Sequence, residues 1–81
     1  MRYLIVVEHD ETSYGAYCPD VPGCFAVGKT PQETIQRMQG ALAAHLQWLR
    51  DEGDPVPLPV TQVAPSDADS VGVDWVDVSV A

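Results

Sequence analysis

Four carboxylates stand where the chain is richest in strand-forming residues: Glu8 and Asp10 near its start, Asp74 and Asp77 near its end. Acids that converge can hold two divalent cations about 4 Å apart and hydrolyse a phosphodiester. Such acids must converge on one site, and the middle of the first apolar run, Ile5-Val6-Val7, offers none. Cys18 and Cys24 are the only cysteines, and two thiols without nearby histidines fall short of the four ligands a zinc site wants. They are expected to be free, partly buried thiols, although oxidation could join them if their Cα atoms lie about 4.4–6.8 Å apart. His9 and His45 lack a visible nucleophile or substrate site for general-base work, and His45 reads as a boundary residue. No catalytic residue, metal ligand or cofactor is expected.

The elements that would position these groups can be read in order. Arg2–Glu8 is β-branched and aromatic, apolar on both faces, and predicts a central strand. Tyr14–Cys18 and Cys24–Gly28 predict two further strands around a Pro19-Asp20-Val21-Pro22-Gly23 loop that cannot sustain a ladder. Thr30-Pro31-Gln32-Glu33 then sets a helix N-cap, a proline at the first position and a capping-box glutamate. Ile35, Met38, Leu42, Leu46 and Leu49 recur at three- and four-residue steps as one apolar stripe. Gly53, Pro55 and Pro57 stop the helix. Residues 54–70 form a proline- and aspartate-rich linker, with Val56, Leu58 and Val60 as candidates for tacking it down. A last strand covers Val71–Val80. Its apolar parity changes between Val71, Val73, Trp75 and Val76, Val78, Val80, which implies burial on both faces or a bulge near Trp75-Val76.

Eighty-one residues make one domain, 1–81, and a core of modest size that gains from a partner or a second copy. Four Lys and Arg against twelve Asp and Glu leave a formal charge of −8. Scattered cations make no phosphate-binding patch, so direct nucleic-acid binding is not expected. An acidic domain suits a basic protein partner, or is kept soluble by its charge. The run Leu4–Val7 is too short for a signal-peptide core or a membrane span, which points to the cytoplasm.

The residues Tyr14, Tyr17, Pro19-Asp20-Val21-Pro22-Gly23-Cys24, Gly28-Lys29-Thr30 and Glu33 occur in an order that resembles the HicB-like antitoxin family. Leu46, Leu49, Gly53 and Pro55-Val56-Pro57-Leu58-Pro59 extend the likeness, which spans about residues 1–60. Thr12-Ser13-Tyr14-Gly15 departs from the family's acidic-glycine turn, and Gln32-Glu33-Thr34 from its two acids and an alanine. The resemblance implies an α+β fold, β-β-β-α-β, with one helix on a four-stranded mixed sheet of order 3-2-1-4. A right-handed crossover would place strand four parallel to strand one. The family's reduced ribonuclease H fold makes the four acids worth testing as metal ligands, but Glu33, the helix's one candidate, is already a capping residue.

The resemblance further implies an antitoxin that binds and masks HicA, a small basic ribonuclease. Many relatives carry a C-terminal DNA-binding domain, whereas the residues after Gly53 read as linker and one strand, so no repressor role is expected. The rival reading is a solitary homo-oligomeric scaffold or regulator. Asp20, Val21, Pro22, Trp48, Asp74 and Asp77 are the candidate partner-binding residues: a rigid loop binds at lower entropic cost, tryptophan is favoured in interface centres, and acids suit a basic partner.

Overall fold

The computed structural model describes residues 1–62 and 70–79. Its elements are β1 (Arg2–His9), β2 (Tyr14–Tyr17), β3 (Phe25–Gly28), α1 (Pro31–Asp51) and β4 (Ser70–Asp77). The strands form one sheet in the order β3-β2-β1-β4. Short connections make β1, β2 and β3 an antiparallel meander, with Val6 opposite Tyr17 and Tyr17 opposite Phe25.

The strand order matches expectation and the direction of β4 does not. β4 runs antiparallel to β1, from Ser70 beside Glu8 to Asp77 beside Arg2, so the sheet is antiparallel throughout rather than mixed. The handedness rule governs crossovers that return to the starting end of the sheet. The connection from Glu52 to residue 69 is long enough, at about 3.3 Å per extended residue, to enter β4 from the other end. Tyr3 at the start of β1 donates its hydroxyl proton to the Pro57 carbonyl, so the chain leaving the helix passes that end of the sheet.

The parity change in β4 also has a cause other than a bulge at Trp75-Val76. Pairing is regular from Asp77 to Gly72 and shifts only between Val7 and Glu8, where Glu8 faces Ser70. Val73 and Trp75 lie opposite Val6 and Leu4 on one face, whereas Val76 lies opposite Tyr3 on the other. Both faces of β4 carry apolar residues. Val78 extends the ladder by exchanging hydrogen bonds with Met1. Val80 lies outside the described residues.

Helix α1 begins and ends as its punctuation dictates. The Glu33 amide donates to Thr30 Oγ1 at 3.1 Å, and the Glu33 carboxylate accepts from the Lys29 amide. At the exit Gly53 has φ 77°, its amide donating to Arg50 and that of Asp54 to Leu49, a Schellman closure. Met38, Leu42 and Leu46 are fully buried against Tyr3, Ile5, Val7, Ala16, Cys18, Val21, Cys24, Val76 and Val78. Ile35 and Leu49 flank that core rather than fill it.

Gly28 explains why the helix can start so close to the sheet. A Cβ there would lie 2.6 Å from Thr34 Oγ1 and 2.9 Å from the Thr34 amide nitrogen. Thr34 is itself fully buried, and its hydroxyl donates to the Thr30 carbonyl at 2.8 Å. Glycine on the strand is what lets the first turn of α1 press against β3.

Candidate partner-binding surfaces

The six positions expected to meet a partner do not form one surface. Asp20, Val21 and Pro22 lie in the β2–β3 loop, at the edge of the sheet opposite β4. Val21 is 1% exposed and belongs to the core. Its burial fixes the loop: the Val21 amide donates to Cys18 and the Cys24 amide to Val21, with Gly23 turning at φ 82°. Asp20 has a second duty that the sequence did not reveal. Its two carboxylate oxygens accept from the Thr61 amide at 2.9 Å and the Thr61 hydroxyl at 2.6 Å. Pro22 alone of the three is exposed.

The proline-rich segment is therefore held by polar bonds at Tyr3 and Asp20 together with half-buried Val56. Leu58 and Val60, expected to help tack it down, are exposed because the segment alternates as a strand does. Trp48 stands on the outer side of α1, 55% exposed, its ring 6.3 Å from that of His45. Asp74 and Asp77 take opposite faces of β4. Asp74 borders a shallow groove of about 320 Å³ with Gln32, Ile35, Gln36 and Gln39. Asp77 lies across from Arg2 in the strand register, on the other face.

Glu8 and Asp77 occupy opposite ends of β1's face, Asp74 lies on the helix side, and Asp10 is in the following turn. The four acids thus do not converge. Among the described residues no group of three or more His, Cys, Asp and Glu could hold a metal ion. Cys18 and Cys24 are buried free thiols. Burial raises both above the ordinary 9.0, with the charge of Asp20 adding at Cys18 and that of Cys18 adding at Cys24.

A larger surface went unnoticed in the sequence. The helix covers one face of the sheet, and the other is apolar too. Leu4 and Val6 form its floor, with Trp75 and Val73 opposite them on β4 and Tyr17 opposite Val6 on β2. Phe25 and Val27 continue the same face on β3. Phe25 is 69% exposed, Val27 54%, Val73 45% and Trp75 36%. The Arg2 guanidinium lies 5.2 Å from the centre of the Trp75 ring. The available signal was the alternation in CFAVG: Ala26 packs on the core, which turns Phe25 and Val27 outward.

Comparison with known proteins follows this geometry closely. A family model described as the HicB-like antitoxin of bacterial toxin–antitoxin systems matches residues 3–81. Antitoxin HicB 2 of Photorhabdus laumondii is 32% identical over 62 residues, which are 76% of this chain but 45% of that protein. A UPF0150 protein of Thermoplasma acidophilum is 31% identical over 58 residues, covering 70% of this chain and 84% of the relative. The crystal structure of the N-terminal domain of Burkholderia pseudomallei antitoxin HicB superposes with TM-score 0.80 and 27% identity, over 99% of this chain and 100% of that one. A chain from a HicA3–HicB3 toxin–antitoxin complex superposes with TM-score 0.73 and 25% identity, over 98% of this chain and 99% of that one.

Proposed function

Because the chain belongs to the HicB-like antitoxin family, we propose that it is a non-catalytic cytoplasmic module that binds and masks a small basic ribonuclease of the HicA type. The observation that carries this reading is the full-length likeness to a chain from a HicA3–HicB3 complex. Charge supports it. A toxin that grips RNA must present cations, and a chain with twelve acids against four Lys and Arg is complementary to that surface. Asp10, Glu11, Asp51, Glu52 and Asp54 are all exposed and add to the exposed Asp74 and Asp77.

The non-catalytic part is supported by the separation of Glu8, Asp10, Asp74 and Asp77. The same scarcity of cations argues against direct binding to nucleic acid. No described helix is long and apolar enough to cross a membrane.

The test is co-expression with a basic HicA-type protein from the same genome. A complex that co-elutes and suppresses cleavage of RNA by that protein is the expected result. Failure to form any complex at ~10 µM of each component, an ordinary affinity range for specific partners, would rule the reading out.

A further inference from the structure

We propose that the groove between α1 and the outer edge of β4 receives an extended, cationic segment of the ribonuclease partner, which adds to the sheet as a fifth strand. This deepens the antitoxin reading and rests on it. Gly28 accounts for the groove. By admitting Thr34 it draws the start of α1 onto β3, and the opposite side of the helix stands off β4, at Gln32, Ile35, Gln36 and Gln39.

The edge of β4 is open for pairing, and its register shows which groups it offers. Met1 and Val78 exchange hydrogen bonds between the chain start and the end of β4. Antiparallel pairs alternate, so Val76, Asp74 and Gly72 also turn their backbone groups toward β1, while Val73, Trp75 and Asp77 turn theirs outward. Two contacts agree with that parity. The Trp75 amide donates to Asp74 Oδ1 at 2.7 Å, and the Asp77 carbonyl accepts from Gln39 Nε2 at 3.0 Å. Side chains thus satisfy two of the outward groups. The Val73 amide and carbonyl, the Trp75 carbonyl and the Asp77 amide face the side of β4 that has no neighbouring strand.

The groove beside this edge specifies the occupant. An added strand directs alternate side chains to the helix side of the sheet, where its main chain supplies affinity and the groove supplies choice. Half-buried Ile35 offers an apolar contact, and the three glutamine amides can donate and accept. Asp74 is the one charged residue lining the groove, and it asks for a Lys or Arg. Cations of this chain are engaged elsewhere: Arg37 with Val27 and Glu33 at the β3 edge, Arg2 against the Trp75 ring on the opposite face. A second copy would set its own Asp74 and Asp77 against this edge, so a cationic segment is favoured over self-pairing.

The experiment titrates the whole chain with the basic HicA-type protein of the same genome by calorimetry, with circular dichroism as the check on folding. Val73→Pro deletes an outward amide while leaving the ladder to β1 whole, and Val73→Ala keeps that amide. The proline is expected to weaken the complex at least ~tenfold and the alanine less than ~threefold. Gln36→Trp, which fills the groove, and Asp74→Lys should each cost at least ~tenfold, whereas Asp54→Lys, the same charge change beyond the far end of α1, should cost less than ~threefold. Should Val73→Pro unfold the sheet, Gln36→Trp and Asp74→Lys decide the matter. A complex of undiminished strength with those two overturns the groove and leaves the antitoxin reading standing. Equal losses from Asp74→Lys and Asp54→Lys overturn it too, as do equal losses from the proline and the alanine in folded protein. A change in the mass of the isolated chain on Gln36→Trp would assign the groove to a second copy instead. No complex with the wild type would remove the antitoxin reading and this proposal together.

Discussion

At the scale of single residues, two glycines separate backbone freedom from close approach. Gly28 has no room for a methyl group, because the backbone of Thr34 lies within 3 Å of the Cβ position. Gly28→Ala should cost ~1–3 kcal/mol by urea denaturation, since α1 must lift from β3. Gly40, in mid-helix, meets nothing within 4 Å, and Gly40→Ala should stabilise the protein by ~0.5–1 kcal/mol through helix propensity. Equal effects of the two changes would contradict the close contact at Gly28. The buried thiols give a second test. Because burial raises Cys18 and Cys24 above 9.0, the unfolded chain ionises first. Their contribution is complete below pH 9 and is lost as pH rises through the folded values. Tyr3, raised above 10.0 chiefly by burial, adds a slope of the same sign at higher pH. Stability should therefore fall as pH rises above 9, and Cys18→Ala with Cys24→Ala should flatten the lower part of that fall.

At the scale of elements, the helix is the piece whose stripe defines the core. Leu42→Ala and Leu46→Ala should each destabilise by ~2–5 kcal/mol, because both side chains are fully enclosed. Gln36→Ala, on the exposed side, should change stability by less than ~0.5 kcal/mol. Similar small losses at all three positions would show that another face of α1 packs. The helix boundaries were legible in Thr30, Pro31, Glu33 and Gly53 because capping is local chemistry, settled within four residues. Leu58 and Val60 were misjudged for a related reason. Hydropathy marks them as apolar, but the attachments of their segment are Tyr3 and Asp20, distant in sequence.

At the scale of the whole molecule, the acid excess sets how it meets other molecules. If the partner is a cationic ribonuclease, raising salt should slow association, since screening acts over about 10 Å at 0.1 M. Stopped-flow association with the toxin at rising salt checks this. Asp74→Asn with Asp77→Asn should slow the same step without unfolding the domain. Asp20 is unsuited to that test, because its carboxylate holds Thr61. An association rate indifferent to salt and to these changes would exclude charge steering. Alone, the domain should bind neither DNA nor RNA at physiological salt, as gel-shift titration would show.

The sequence by itself determined every element, because alternation, capping residues and prolines act over a few neighbours, and its likeness to the family carried the order of the strands. It determined the acidic balance, and it carried enough of the Pro19–Cys24 and Gly28–Thr30 signatures to point to the family. Only the tertiary structure decided the direction of β4, since a long connection can enter a strand from either end. It also decided that Val21 lies in the core and that Asp20 holds Thr61, and that Phe25, Val27, Val73 and Trp75 share one face. Those facts depend on register between strands far apart in sequence, and register is set by how the whole sheet buries its two sides.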